Sequence, residues 1–172
     1  MAKRKIFTGD APCLYKVCRS VEKFDKKLHE LLDDMAETMY DAEGAGLAAS
    51  QIGILRRAVV IDVGEGIVEL VNPEIVEMSD EKEGCMEGCL SFPGKRGYVE
   101  RAYRVKVRAQ NRDGDWKEYD AEGYFARAVQ HELDHLNGEV YLRLVTEPPE
   151  GFTEDDEIED DEVEQDNGES NA

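Results

Sequence analysis

The stretch His131-Glu132-Leu133-Asp134-His135 constrains this chain more than any other. It lies in a segment, 122–137, that reads as a helix: Val129, Leu133 and Leu136 supply an apolar stripe, and Asn137-Gly138 supplies a stop. Helical residues four apart share a face, so both imidazoles can reach one ion and Glu132 falls beside it. There its carboxylate could take a proton from a water and later deliver it. Two surface histidines on a helix would also fit so short a pattern. The chain has only three histidines, however, and two of them are spent here.

A catalytic metal site usually needs three protein ligands and one open position. No histidine follows His135, and Glu139, the next acid, is not at a familiar spacing for a third ligand. The better candidate lies upstream in Glu87-Gly88-Cys89-Leu90-Ser91, where Gly88 allows close backbone approach and Cys89 would ligate as a thiolate. A competing arrangement keeps Cys85 beside Cys89 and the two histidines as a closed structural zinc set, which leaves no open position and no hydrolase. Cys13 and Cys18 read as small hydrophobes, and His29 as a surface residue.

The remaining pattern frames this helix with strands. Residues 24–40 form an amphipathic helix, with Phe24, Leu28, Leu31, Leu32, Met35 and Met39 at helical spacing. Residues 58–63 read as a buried strand, and 67–72 and 74–78 as two more separated by Pro73. A strand over 99–109 alternates, with Val105, Val107 and Ala109 on one face. Asn111-Arg112-Asp113-Gly114 turns it into a partner at 116–119. A last strand is expected over 140–145. Helix, strands, helix, strand make an α+β domain: mixed or antiparallel sheets packed around a central metal-binding helix.

At 172 residues the chain fits one domain, placed at 1–150, with 151–172 an acidic and disordered tail. Thirteen Asp and Glu follow Thr146 with no Lys or Arg; without them the formal charge drops from −19 to −6. A tail of that sign excludes nucleic acid as the expected partner, since phosphates need cations. The basic start has no long apolar run after it, and nothing approaches a membrane span. A reducing cytoplasm is the expected compartment, so the cysteines are expected to be free, ligating or catalytic rather than paired.

Three segments, Gly44-Ala45-Gly46-Leu47-Ala48-Ala49-Ser50-Gln51, Glu87-Gly88-Cys89-Leu90-Ser91 and Gln130-His131-Glu132-Leu133-Asp134-His135-Leu136-Asn137-Gly138, together resemble the peptide deformylase family. The likeness covers roughly residues 5–145. It implies that Cys89, His131 and His135 hold one divalent ion with a water in the fourth position, and that Glu132 is the general acid/base. Gln51 and the amide of Leu90 would polarise the formyl oxygen as an oxyanion hole. Gly44, Ala45 and Gly46 would line the cleft and pair with the substrate as an added strand. Glu87 and Arg96 would pair near the site and frame the methionine pocket, although both could be surface charges.

The implied reaction is hydrolysis of the formyl group from nascent polypeptides beginning with formyl-methionine, releasing formate. Fe2+ is the expected ion, with Ni, Co or Zn possible, because thiolate and imidazole ligation suits several metals. A hydrolase of another substrate, or a non-catalytic metal module, would share the same triad. Asp134 should point away from the metal and bridge to Arg101. Ala45 stands where the family commonly has a larger residue. Ribosome contact, if any, should be transient, because the acidic tail is repelled by RNA.

Overall fold

The computed structural model describes residues 2–154. Two helices, α1 (Lys26–Asp41) and α2 (Gly123–Leu136), pack on two antiparallel sheets, so the α+β class expected above is what is found. Strands β1 (Gly46–Ala48), β2 (Ala58–Ile61), β3 (Val68–Met78), β6 (Arg104–Gln110) and β7 (Trp116–Glu122) form one sheet in the order β1-β2-β3-β6-β7. Strands β4 (Lys82–Gly88) and β5 (Arg96–Ala102) form a separate hairpin. Short 3-10 turns lie at Pro12–Tyr15, Ala49–Ile52 and Tyr141–Leu144.

The five-stranded sheet carries a helix on each face. Strand β2 shows why its sequence is apolar throughout: Ala58 and Val60 join the α1 side, with Leu28, Leu32, Met35 and Met39, whereas Val59 and Ile61 join the α2 side. On that second side Val129, Leu133 and Leu136 of α2 meet Leu70, Val105, Val107, Ala109 and Ala121. Each such buried aliphatic side chain contributes about 1.5–3 kcal/mol. Helix α1 starts two residues inside the expected start, after Asp25, whose carboxylate accepts from the Leu28 N–H. His29, half-buried, lies 2.8 Å from the Arg112 carbonyl.

Four expectations need correction. The stretch around Pro73 is one strand rather than two; β3 absorbs the proline at a register shift, where Asn72 takes a left-handed φ of 49°. The 99–109 strand is broken at Tyr103, where the chain leaves the hairpin and enters the larger sheet. Its inward positions keep the same parity on both sides of the break, so alternation hides the change of sheet. Residues 140–145 form a 3-10 turn, because Tyr141 is 1% exposed and stacks against Phe92 and His131 instead of entering a ladder. Strand β4 was not expected at all. Lys82-Glu83-Gly84 is poor strand sequence, and pairing with β5 makes it one.

The packed chain also runs past Gly151. Thr146 bridges to Tyr98, and Phe152 lies on the Tyr98 ring at a centroid distance of 5.0 Å. The acidic stretch from Asp155 onward lies outside the described residues.

Candidate metal centre

Helix α2 enters the core directly after β7, and Gly123 makes the corner with a positive φ of 57° and an N–H donated to the Tyr103 carbonyl. The helix projects His131, Glu132 and His135 toward the hairpin, and all three are buried. Cys89 follows β4 immediately. Its Sγ and one nitrogen of each histidine all lie within 4.8 Å of one another, and Sγ sits 3.3 Å from His135 Nε2. One ion can span that triangle with metal–sulfur and metal–nitrogen bonds of about 2.3 and 2.1 Å. Among the described residues this is the one group of ligand atoms that converges in this way, and Cys85 is not part of it. The closed four-ligand alternative therefore has no geometry behind it.

A buried carboxylate holds His131, the first histidine of this group. Glu87 is 6% exposed; it meets His131 Nδ1, which leaves Nε2 for an ion. Arg101 donates to it from Nη2 at 2.7 Å and Nε at 2.9 Å, and Arg127 from Nη1 at 2.8 Å. Burial alone would raise this carboxyl. The hydrogen bonds from Arg101 and His131 win and hold it well below the usual carboxylate range. Arg101 also reaches Asp134 at 3.0 Å, the bridge expected from the sequence. Arg96 is not a partner of Glu87. It faces Gly88 across the hairpin and lies 4.0 Å from Glu154, so the anticipated Glu87–Arg96 pair does not form.

Glu132 shows a different balance. Burial pushes its carboxyl up to about 7, and its Oε2 has no hydrogen-bond partner. Its other oxygen lies against Gly46: a Cβ built there would stand 2.6 Å from Oε1. An unpartnered buried oxygen is costly, and a ligand or water in the cleft would offset that cost. His135 is pushed down to about 3, first by burial and then by the neighbouring His131, so its ring is neutral, the form that ligates. An orphaned acid beside a thiol and a neutral imidazole is a donor set that fits a divalent cation.

Gln51 sits in the Ala49–Ile52 turn, 1% exposed. Its Oε1 accepts from the Ala48 N–H, and its Nε2 donates to Ser91 Oγ at 3.0 Å and lies 3.6 Å from Cys89 Sγ. Leu90 packs across the cleft onto Gly44, where a Cβ would stand 2.6 Å from Leu90 Cδ1. Gly44, Ala45, Gly46, Gln51, Glu87, Cys89, Leu90, Arg96, His131 and Glu132 thus border one cleft.

Sequence reasoning missed Arg127, Tyr141 and Ser91. Arg127 was open to discovery, because it stands four residues before His131 and therefore on the same helix face. Ser91 stood in the quoted Glu87–Ser91 segment without a role, and Tyr141 carried no local signal.

A model of the polypeptide deformylase family matches residues 3–149 of this chain. A peptide deformylase of Alkaliphilus metalliredigens is 55% identical over 139 residues, which is 80% of this chain and 93% of that protein. Peptide deformylase 1 of Bacillus subtilis is 50% identical over 158 residues, covering 91% of this chain and 96% of that one. The crystal structure of peptide deformylase from Thermotoga maritima superposes with a TM-score of 0.84 at 44% identity, over 86% of this chain and all of that chain.

Proposed function

Since the chain belongs to the peptide deformylase family, we propose that Cys89, His131 and His135 are its metal ligands and Glu132 its proton carrier. The reaction is hydrolysis of the N-formyl group from nascent polypeptides. The observation that carries the assignment is the triangle of Cys89, His131 and His135 with the unpartnered Glu132 Oε2 nearby; Cys89, His131 and Glu132 border the cleft. Fe2+ is the proposed ion, with Ni, Co or Zn as substitutes, in keeping with one thiolate and two imidazoles. A divalent cation held there supplies a Lewis acid for the formyl oxygen and makes water nucleophilic near neutral pH.

The chain's own groups then do the following. Glu87 fixes the His131 ring through Nδ1. Glu132 takes a proton from the attacking water. Its Oε2 is buried near the triad without a hydrogen-bond partner, so it is open to accept that proton and hand it back. Gln51 Nε2 and the Leu90 N–H donate to the formyl oxygen as charge builds on it, with Gln51 turning from Cys89 to do so. The formyl C–N bond breaks, Glu132 returns the proton to the departing amine, and formate leaves. Gly44, Ala45 and Gly46 offer backbone for an extended substrate, whose methionine enters the side of the cleft bounded by Glu87 and α2.

The substrate also sets the setting: a cytoplasmic enzyme, with no DNA or membrane partner and at most passing contact with the ribosome. No helix among the described residues is long and apolar enough to cross a membrane.

The Glu132→Ala variant is expected to keep its metal and lose turnover by about 10²–10⁴-fold. Formate release from a formyl-methionyl peptide, measured beside metal content, checks this. Equal turnover in both proteins would remove Glu132 from its role. Metal binding without formate release by the wild type would favour another substrate or a non-catalytic module.

A further inference from the structure

His131 and Cys89 reach the metal centre from two separate segments. His131 sits on α2, whereas Cys89 opens the loop 89–95 that joins β4 to β5. Glu87 meets His131 at Nδ1. A hydrogen bond at a ring nitrogen fixes one direction of the imidazole, but the ring can still rock about that bond unless something backs its face. Tyr141 supplies the backing. Its ring centroid lies 5.7 Å from that of His131 at an interplanar angle of 33°, and Phe92 meets it edge-on at 6.1 Å. Tyr141 is 1% exposed, and Cys89 packs against the cluster that it forms with Phe92 and Val99.

The Tyr141 hydroxyl reaches the second segment. It donates to the Lys95 carbonyl at 3.1 Å, at the far end of the loop. Within the loop the Lys95 N–H donates to the Phe92 carbonyl at 3.2 Å, and the Phe92 N–H to the Cys89 carbonyl at 2.9 Å. A tie at Lys95 is thus passed back to Cys89. We propose that Tyr141 is a positioning residue for the metal centre: its ring steadies His131, its hydroxyl steadies the loop that carries Cys89, and one side chain so sets the spacing of the two segments. This deepens the deformylase reading and rests on Cys89 and His131 being ligands. Tyr141 is absent from the described residues that border the cleft, so it acts through the ligands and not on the peptide.

The test titrates the full-length, metal-free protein with Co2+ against a competing chelator. It also records the thiolate-to-cobalt and d–d absorption bands, which report the geometry of the ligands. Tyr141→Leu should bind Co2+ about 10–100-fold more weakly than the wild type, with shifted bands. Tyr141→Phe, which keeps the ring, should lose about fivefold. At saturating Co2+ the Tyr141→Leu variant should lose about tenfold in kcat, with KM for formyl-Met-Ala-Ser within about twofold of wild type. Leu144→Ala thins the same apolar cluster without removing the ring from His131, so it should lower the thermal midpoint and leave cobalt affinity and bands unchanged. Wild-type affinity and bands in both Tyr141 variants overturn the assignment, as does a loss in Leu144→Ala equal to that in Tyr141→Leu. If Tyr141→Leu fails to fold, Tyr141→Phe decides alone, and unchanged affinity overturns the assignment. The expected cobalt order without formate release by the wild type would strike the deformylase reading and uphold the role of Tyr141; a wild type that binds no Co2+ would overturn both.

Discussion

At the scale of single residues, the most demanding contact in the site is made by an absent side chain. Glu132 can occupy its place only because Gly46 carries no Cβ, which would stand 2.6 Å from Oε1. Gly46→Ala should push the carboxylate aside and lower kcat by about 10²-fold, since misplacement of a catalytic group by an ångström costs that much. The thermal midpoint should barely move. Steady-state kinetics beside a melting curve check this, and a variant with wild-type kcat would show that the carboxylate tolerates the displacement. That His131 and His135 come together was readable from the sequence, because helical spacing alone sets them on one face. The partners of Glu87 were not, because strand parity decides them. Glu87 is opposite Gly97, so Val99 and Arg101 share its face while Arg96 points the other way. Nothing in the sequence states that register.

Elements were readable where one face alone decides their character, as in α1 and α2. They were misjudged where a tertiary contact overrides the local pattern. Strand β3 is the clearest case. Pro73 signals an end, yet the strand continues, because Asn72 accepts the left-handed conformation and secures it with its side chain. Its Oδ1 accepts from the Val21 N–H at 2.7 Å, and its Nδ2 donates to the Val21 carbonyl and to Gln110 Oε1. Asn72→Ala loses these bonds and keeps the strained φ, which should destabilise the protein by about 2–4 kcal/mol. Asn72→Gly relieves the strain and should cost about 1 kcal/mol less than Asn72→Ala. Urea denaturation of the two variants gives the comparison; equal losses would mean that backbone strain contributes nothing at this bend. Tyr141 repeats the lesson: an apolar run with strand composition becomes a turn because its tyrosine is needed beneath the hairpin, with its hydroxyl donating to the Lys95 carbonyl at 3.1 Å.

Over the whole molecule, charge is the property that composition reveals and the packed core does not explain. The formal charge is −19, and most of it falls after Thr146. We expect this protein to associate weakly with ribosomes, because a strongly acidic segment is repelled by RNA at low salt. Cosedimentation at two salt concentrations checks this, and tight binding that salt disrupts would refute it. The α+β class and the central helix could be anticipated, since they follow from the sequence of helical and alternating segments. The division into two sheets could not, because both sheets keep the same inward parity through Tyr103. The contact of Phe152 with Tyr98 was equally hidden, since a lone aromatic beside a run of acids has no periodicity to betray its partner.

The Gly44-Ala45-Gly46 stretch and strand β4, which both border the cleft, impose a schedule as well as a shape. Only a bare, extended stretch of chain can slip between them. A polypeptide whose first residues have already entered a helix or sheet of their own has no such stretch to offer. Processing at this site is therefore a race against the client's own folding, and clients whose N-termini fold late have the longest time in which to be processed.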